Sequence, residues 1–308
     1  VTGPTDPTGR NGIELRAATE ADLLDCERVW RDGLNDYLRR LNQVEIPPDN
    51  PGLRRLHAHT LATDPERFRV AVRPDGRVVA FGSAVRRGNV GFLSMLFVDP
   101  AAQAHGLARR LLAEILPGPP SILATVTDSA QPISNGLYAS LGMIPRVPLL
   151  NVVGRPRAGW LPPPLPDGVV ALPLVAGHAA DEVAALDREI VGYDHPVDHR
   201  FILSDRPSAF AYRDASGALV GYGYTSPVGR VGPIAVRDVE LMGPVLGHLL
   251  TAVEPRGASA IWLAGDAGAA VGLALGAGLR FEDFPLLLCW NRPFADFERY
   301  VPISPGLI

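Results

Sequence analysis

Three stretches carry side chains whose types and spacing could do chemistry. The first is "VDPAAQAHGLARRLL", residues 98–112. Leu107, Leu111, Leu112 and Ile115 have helical spacing, so a strand ending near Val98 feeds a helix through a turn that holds Gln103, His105, Gly106 and Ala108. The free amides at such a helix start, with the helix dipole, favour an anion, typically phosphate. Glycine lets that anion approach the backbone because no Cβ stands in the way. The plainer reading makes Gly106 only a cap glycine. The pattern is neither G-x-x-x-x-G-K-[ST] nor G-x-G-x-x-G. The second stretch, "QPISNGLYASLG" (131–142), offers the Tyr138 hydroxyl, a proton donor or else a core aromatic beside Leu137 and Leu141. The third, "GYDHPVDHR" (192–200), sets His195 and His199 four apart with Asp194 and Asp198 interleaved, a spacing that a metal could use. Pro196 interrupts the helical register between the two histidines and no further ligand cluster is evident. The expectation is therefore no metal, and a polar loop and helix start that either faces an acceptor pocket or is a capped, solvent-exposed turn.

The elements that must position these residues follow from periodicity and turn chemistry. "IELRAA" reads as a strand. "TEADLLDCERVWRDGLNDYLRRL" reads as an amphipathic helix with Thr19 as N-cap, and "NPGLRRLHAHTLA" as a second helix. Residues 67–98 give three strands with turns at Asp75-Gly76 and near Gly88-Asn89. The turn and helix above come next, then the strand "SILATVT", the helix of Tyr138 ending at Gly142, and the strand "VPLLNVV". The second half repeats this order: "VVALPL", two helical segments, three strands over 208–236, the helix in "VELMGPVLGHLLTAVEP", the strand "SAIWLAG", the helix "AGAAVGLALGAG" and the strand "EDFPLLLCW". The repeated order implies a duplicated α/β unit. "GRPRAGWLPPPLPDG" (154–168), with five prolines, interrupts all periodicity and reads as a stiff linker.

The 308 residues, 47% hydrophobic and 20% charged, suit a soluble globular chain of two domains. A net charge of −4 without a basic run gives no support for nucleic-acid binding. Two distant cysteines, Cys26 and Cys289, make neither a disulfide scaffold nor a zinc site and are expected as buried thiols. "VTGPTDPTGRNG" reads as a flexible tail, and the apolar run near 267–279 is too short and glycine-rich for a membrane span. A cytoplasmic, reducing setting without membrane attachment is expected.

Taken together, Val98, Pro100, Gln103, Gly106 and Ala108 resemble the V-x-P…Q/R-x-x-G-x-G/A signature of the GNAT acetyltransferase superfamily, and "LYASLGM" (Leu137, Tyr138, Gly142, Met143) resembles its late L-Y-x-x-x-G-F/M motif. "LALGAGLRF" resembles that late motif without its Tyr. The resemblance implies an α/β fold (α+β mixed sheet) of two tandem GNAT-like domains, each a mixed central sheet flanked by helices. The divisions would be a flexible tail 1–12, a GNAT domain 13–153 with the intact acyl-CoA motif, the linker 154–168, and a degenerate GNAT-like domain 169–308. It implies acetyl-CoA, or another acyl-CoA, as co-substrate. The backbone of Leu96, Phe97 and Val98 would pair with the pantetheine arm, and Gln103, Ala104, His105, Gly106, Leu107, Ala108 and Arg109 would hold the pyrophosphate. Arg109 and Arg110 either add charge there or are solvated helix arginines. Tyr138 would protonate the departing thiolate. The pantetheine-binding Asn of the family aligns here with Gln131, a departure, and Ser134 and Asn135 could serve instead.

No acid stands on "VGFLSMLFV", where many relatives place a general base; Ser94 is its polar side chain. Water held by Ser94, or Asp36, Glu45, His57 or His59 from the helices that usually line an acceptor pocket, are the candidates. In the second half "RDVELMG" replaces the phosphate turn and puts Asp238 and Glu240 where pyrophosphate would lie. That half reads as a CoA-incompetent copy that shapes or covers the acceptor site. The expected function is acetyl transfer to the amine of a small molecule, by a monomer or homodimer. The alternatives are a non-catalytic acyl-CoA sensor, or other acyl chemistry such as O-acyl transfer or thioester cleavage.

Overall fold

The computed structural model describes residues 12–308 except 105, 119, 120, 176 and 178, so His105 of the expected phosphate turn lies outside the described residues. The strands are β1 (Glu14–Ala17), β2 (Phe68–Val72), β3 (Val78–Arg87), β4 (Val90–Val98), β5 (Ile122–Asp128), β6 (Ile144–Gly154), β7 (Val170–Pro173), β8 (Ser208–Arg213), β9 (Leu219–Thr225), β10 (Val231–Val236), β11 (Ser259–Ala264), β12 (Arg280–Trp290) and β13 (Tyr300–Val301). The helices are α1 (Leu23–Arg40), α2 (Pro51–Thr63), α3 (Leu107–Ile115), α4 (Pro132–Ala139), α5 (Ala180–Ile190), α6 (Pro196–Leu203), α7 (Met242–Ala252) and α8 (Gly268–Ala277). Among the described residues no helix is long and apolar enough to cross a membrane.

Two compact units result, but they are not the two sequence halves. The first comprises residues 1–86 and 91–121, the second 87–90 and 122–308. In the first unit the strands lie in the order β1-β2-β3-β4. Strand alternation gives this sheet two apolar faces. Phe68, Val70, Phe81, Met95 and Phe97 face the cluster that holds Cys26, Val29 and Trp30 of α1. Leu96, Val98, Val79 and Ala80 face Leu107 and Leu111 of α3. Helix α2 begins where expected, with Asn50 capping it by accepting the Leu53 amide at 3.0 Å. Thr19 precedes a 3-10 turn, and the α-helix starts at Leu23.

In the second unit the two halves exchange strands. The antiparallel order is β5-β12-β6-β11: the last long strand of the second half stands between β5 and β6, and β6 stands between β12 and β11. This exchange explains why the compact units depart from the division at 154–168. The strands of the first half that follow residue 121 are hydrogen-bonded to strands of the second. The proline-rich segment is packed on the second unit. Trp160 and Leu165 lie against the second unit's core, the Arg157 amide donates to Ala277 O at 2.8 Å, and Pro162 abuts Gly247 of α7. The other sheet of this unit runs β13-β10-β9-β8-β7, with α7 and α8 in its core. Cys26 and Cys289 are buried free thiols, as their apolar surroundings predicted.

Candidate functional site: the β4–α3 turn and its counterpart

Strand β4 ends at Val98, and Asp99 then organises the turn. Its Oδ1 accepts the Ala101 amide at 3.0 Å, which caps a 3-10 turn over Pro100–Ala102. Its Oδ2 takes Arg77 at 3.2 Å and Arg28 at 3.5 Å, and its amide donates to Val79 O at 2.8 Å. Gln103 closes the 3-10 turn, is exposed, and reaches back to Val98 O with its amide nitrogen at 3.4 Å. Ala104 (φ 67°) and Gly106 (φ 71°) are both left-handed, and Gly106 is the residue from which α3 starts. The left-handed backbone is one reason for glycine there. The other is space: a Cβ built on Gly106 would meet nothing within 4 Å. The Arg110 amide closes the first helical turn on Gly106 O, so the amides before it point out of the helix start. An open approach, a left-handed glycine and outward amides fit a phosphate.

The remaining expected residues fall as follows. Leu96, Phe97 and Val98 are half-buried on β4, their side chains alternating between the two apolar faces. Leu107 is buried, Ala108 is half-buried, and Arg109 and Arg110 are exposed. Ser134, Asn135 and Tyr138 stand on α4, in the second unit. Asn135 is tied to its own junction, donating to Asp128 O at 3.1 Å, while its carbonyl oxygen is buried without a hydrogen-bond partner. Tyr138 is buried, and burial pushes its phenol well above the usual range, with a smaller contribution from Cys289. It therefore keeps its proton at neutral pH.

The structure weakens several candidates for the base. Asp36 is paired with Arg40, and Glu45 with Arg39 at 3.0 Å. His57 is fully buried in the core of the first unit, edge-on to Phe68 and Phe81 with ring centroids at 5.9 and 5.2 Å. Neither ring nitrogen has a hydrogen-bond partner, and burial lowers the imidazole to about 4. His59 and Ser94 are half-buried.

The counterpart junction in the second half has the same opening and a different end. Asp238 accepts the Glu240 amide at 3.0 Å and caps a 3-10 turn over Val239–Leu241. That turn runs straight into α7 at Met242, with no left-handed residue between them. The free edge of β10 is also taken. β13 pairs with it at Ile234 and Ala235, and the Val236 amide donates to Arg299 O at 3.0 Å. Counting back from the strand ends at Val98 and Val236, these positions correspond to Leu96, Phe97 and Val98 of the first half.

One expectation is overturned. His195, Asp198 and His199 do not form a solvent-exposed turn: all are buried. Pro196 does not interrupt the spacing. It is the first residue of α6, with His195 preceding it, which brings the two imidazole centroids to 4.5 Å. A third group missed in the sequence, Asp187 of α5, completes the cluster. A buried acid on the apolar face of a helix, flanked by Leu186 and Ile190, was the available signal.

Residues 30–143 match the family described as Acetyltransferase (GNAT) family. The family is one of acyl-CoA-dependent acyltransferases, and the match supports that class of activity. No curated protein matches the chain. Similar solved structures include a candidate acetyltransferase from Pyrococcus horikoshii, 15% identical, with TM-score 0.73 over 99% of each chain. A GCN5-related N-acetyltransferase from Sphaerobacter thermophilus is 16% identical, with TM-score 0.58 over 96% of this chain and 98% of its own. A tandem GNAT protein from the clavulanic acid biosynthesis pathway is 18% identical, with TM-score 0.53 over 90% and 97%. The chain as a whole thus has the tandem-GNAT fold.

Proposed function

We propose that the protein is an acyl-CoA-dependent N-acyltransferase that moves an acetyl group from acetyl-CoA to the amine of a small molecule. The observation that carries this reading is the turn at Gly106: a left-handed glycine with open space over it, at a helix start, inside the segment that matches the family. Gln103 to Arg109 would bind the pyrophosphate through backbone amides, and the backbone of Leu96 to Val98 would pair with the pantetheine arm as an added strand. Ser134 or Asn135 would bond that arm, and the unpartnered Asn135 carbonyl is suited to an amide N–H.

In the transfer, the neutral acceptor nitrogen attacks the thioester carbonyl, the C–N bond forms, and the C–S bond breaks. The nitrogen releases a proton to water, and the departing thiolate takes one from Tyr138. Burial keeps the phenol protonated at neutral pH, so Tyr138 has a proton to give and is not a base, while the same shift makes it a weaker acid than a free phenol. The degenerate half, with its filled strand edge, would serve the acceptor side and bind no CoA.

Free-thiol release from acetyl-CoA, with a panel of small amines and without any, tests the proposal. Release that requires an amine and yields the N-acetyl product is expected. Amine-independent release would point to thioester cleavage. Tight binding of acetyl-CoA without release would point to a sensor.

A further inference from the structure

The buried cluster in the second unit takes no part in the transfer described above, yet it has the composition of a binding site. Asp187 comes from α5, and His195 and His199 from the start of α6. The three residues are 1%, 2% and 7% exposed. Asp187 Oδ2 lies 2.9 Å from His199 Nε2 and 3.4 Å from His195 Nε2, and one donor atom from each residue lies within 4.8 Å of the other two. The two separations from Asp187 lie near the edge of a tetrahedron, which is about 3.3 Å when metal–ligand bonds are about 2.0–2.1 Å, and the two histidine donors lie within 4.8 Å of each other.

The groups behind the donors are arranged as supports for metal ligands. His199 Nδ1 is 2.8 Å from Tyr224 Oη, which leaves Nε2 as the nitrogen that faces the centre. His195 Nδ1 faces Asp198 Oδ2 at 3.6 Å, and Asp198 is itself fixed by Arg87 in a two-pronged pair at 2.7 and 2.8 Å. The other oxygen of Asp187 accepts the Tyr222 hydroxyl at 2.6 Å.

A proton alone accounts for this arrangement less well. Both ring nitrogens of His195 are buried, and they face Asp187 and Asp198 only at 3.4 and 3.6 Å, without hydrogen-bond geometry. Buried donors left in that state are costly and rare. An ion at the centre gives His195 Nε2 a partner and leaves Nδ1–H directed at Asp198.

We propose that Asp187, His195 and His199 bind one Zn2+ ion per chain, through Asp187 Oδ2 and the two Nε2 atoms. Three protein ligands leave one position of the tetrahedron for water or a small anion. The ion joins α5 to the start of α6 and, through Tyr222 and Tyr224, to β9, so its first role is to hold this packing together. The inference does not depend on the acyl transfer proposed above.

The test uses the full chain. Metal analysis after extensive dialysis is expected to give one equivalent of zinc. Protein stripped with a chelator is expected to take up one equivalent of Zn2+ or Co2+, with Co2+ producing the visible absorption of a low-coordinate site, and to melt at a lower temperature until it is refilled. Asp187→Asn and His195→Ala are each expected to weaken Zn2+ at least 10²-fold, against no change in His59→Gln. Tyr224→Phe, which keeps all three ligands, is expected to weaken it about 10-fold, as loss of a supporting hydrogen bond does. If Asp187→Asn or His195→Ala fails to fold, the stripped wild-type titration and Tyr224→Phe still decide. Folded wild-type protein that takes up neither Zn2+ nor Co2+ at tenfold excess would overturn the proposal. So would uptake that His195→Ala leaves intact in a folded chain.

Discussion

The two βα junctions of this chain begin alike and end differently. After β4 and after β10 an aspartate accepts an amide two residues on and caps a single 3-10 turn. Beyond that point the first half inserts Gln103 to Gly106, with two left-handed residues, before its helix. The second half inserts nothing, and its 3-10 turn merges into α7. At the strand edge the second half adds β13. The late helices diverge in the same sense: Tyr138 of α4 corresponds to Ala274 of α8, while the glycines that end the two motifs, Gly142 (φ 85°) and Gly278 (φ 106°), keep the same left-handed role. Capping and termination, which stabilise the unit, persist in both copies. The features that would receive a phosphate and a proton are present in one. The two helix starts differ by four residues of loop, not by a different fold.

The buried histidines show the converse. His57 on α2 packs on Phe68 and Phe81, and His199 on α6 packs on Tyr222 and Tyr224. Phe81 and Tyr222 stand at equal distances from the turns at Gly76 and Gly217. The same helix-on-sheet position is lined with aromatic carbon in the first half, and with hydroxyls and a carboxylate in the second. Here the second copy carries the chemistry.

Gly106→Glu is the sharpest way to break the junction comparison. Bulk, negative charge and a left-handed φ would all oppose a phosphate there. Calorimetry is expected to find acetyl-CoA binding abolished in a chain that still folds, at a cost of roughly 1–2 kcal/mol of backbone strain. Gly106→Ala carries the strain without the charge and is expected to keep measurable binding. Wild type should bind one acetyl-CoA per chain, and a second equivalent site at residues 237–243 would erase the distinction between the halves.

His57 offers the next largest effect. Its folded-state value, about 4, lies below the ordinary 6.5. The stability that comes from keeping it neutral is therefore complete above about pH 6.5 and is lost as pH falls through the window down to about 4. The full loss is about 3 kcal/mol, since one pKa unit is about 1.4 kcal/mol. Urea titrations across that window should show a steeper decline for wild type than for His57→Phe, which cannot titrate. Equal slopes would mean that the imidazole has a partner or an opening to solvent.

Tyr138→Phe comes third, against the natural alanine of the other copy. Turnover is expected to fall about 10²-fold with acetyl-CoA affinity unchanged. Full activity in Phe would make Tyr138 a core aromatic, and the proton would then come from water or the acceptor.

Most of the fold was legible because the period of apolar residues, the turn glycines and the capping residues act locally. The strand exchange was not. "EDFPLLLCW" reads as a strand, but nothing local says that Leu286–Trp290 will pair with β5 of the other half. The left-handed turn at Gly106 was legible as a helix start, whereas the Asp99 that caps the turn before it is held in part by Arg28, 71 residues away. The buried cluster was half legible. The histidine pair is visible in the sequence, but a proline after the first of them looks like an interruption until its place at the helix start is known. Asp187, from another helix, has no sequence signature.

The smallest effect separates the two shared caps. Replacing an N-cap aspartate with alanine costs about 0.5–2 kcal/mol. Asp238→Ala should fall at the low end, because Asp238 is exposed and accepts the Glu240 amide without a cation beside it among the described contacts. Asp99→Ala should fall at the high end, because Asp99 is 7% exposed and also receives Arg28 and Arg77. Arg28 keeps Val78 O at 2.7 Å and Asp25, so the loss stays in that range and does not leave a bare buried cation. The consequence for binding is the discriminating one. Asp99 fixes the start of the loop that presents Gly106, so Asp99→Ala should weaken acetyl-CoA several-fold as well as lower the unfolding midpoint. Asp238→Ala should lower the midpoint alone. If Asp99→Ala leaves affinity untouched, the loop holds its left-handed residues without the cap, and the difference between the junctions lies in the inserted residues themselves.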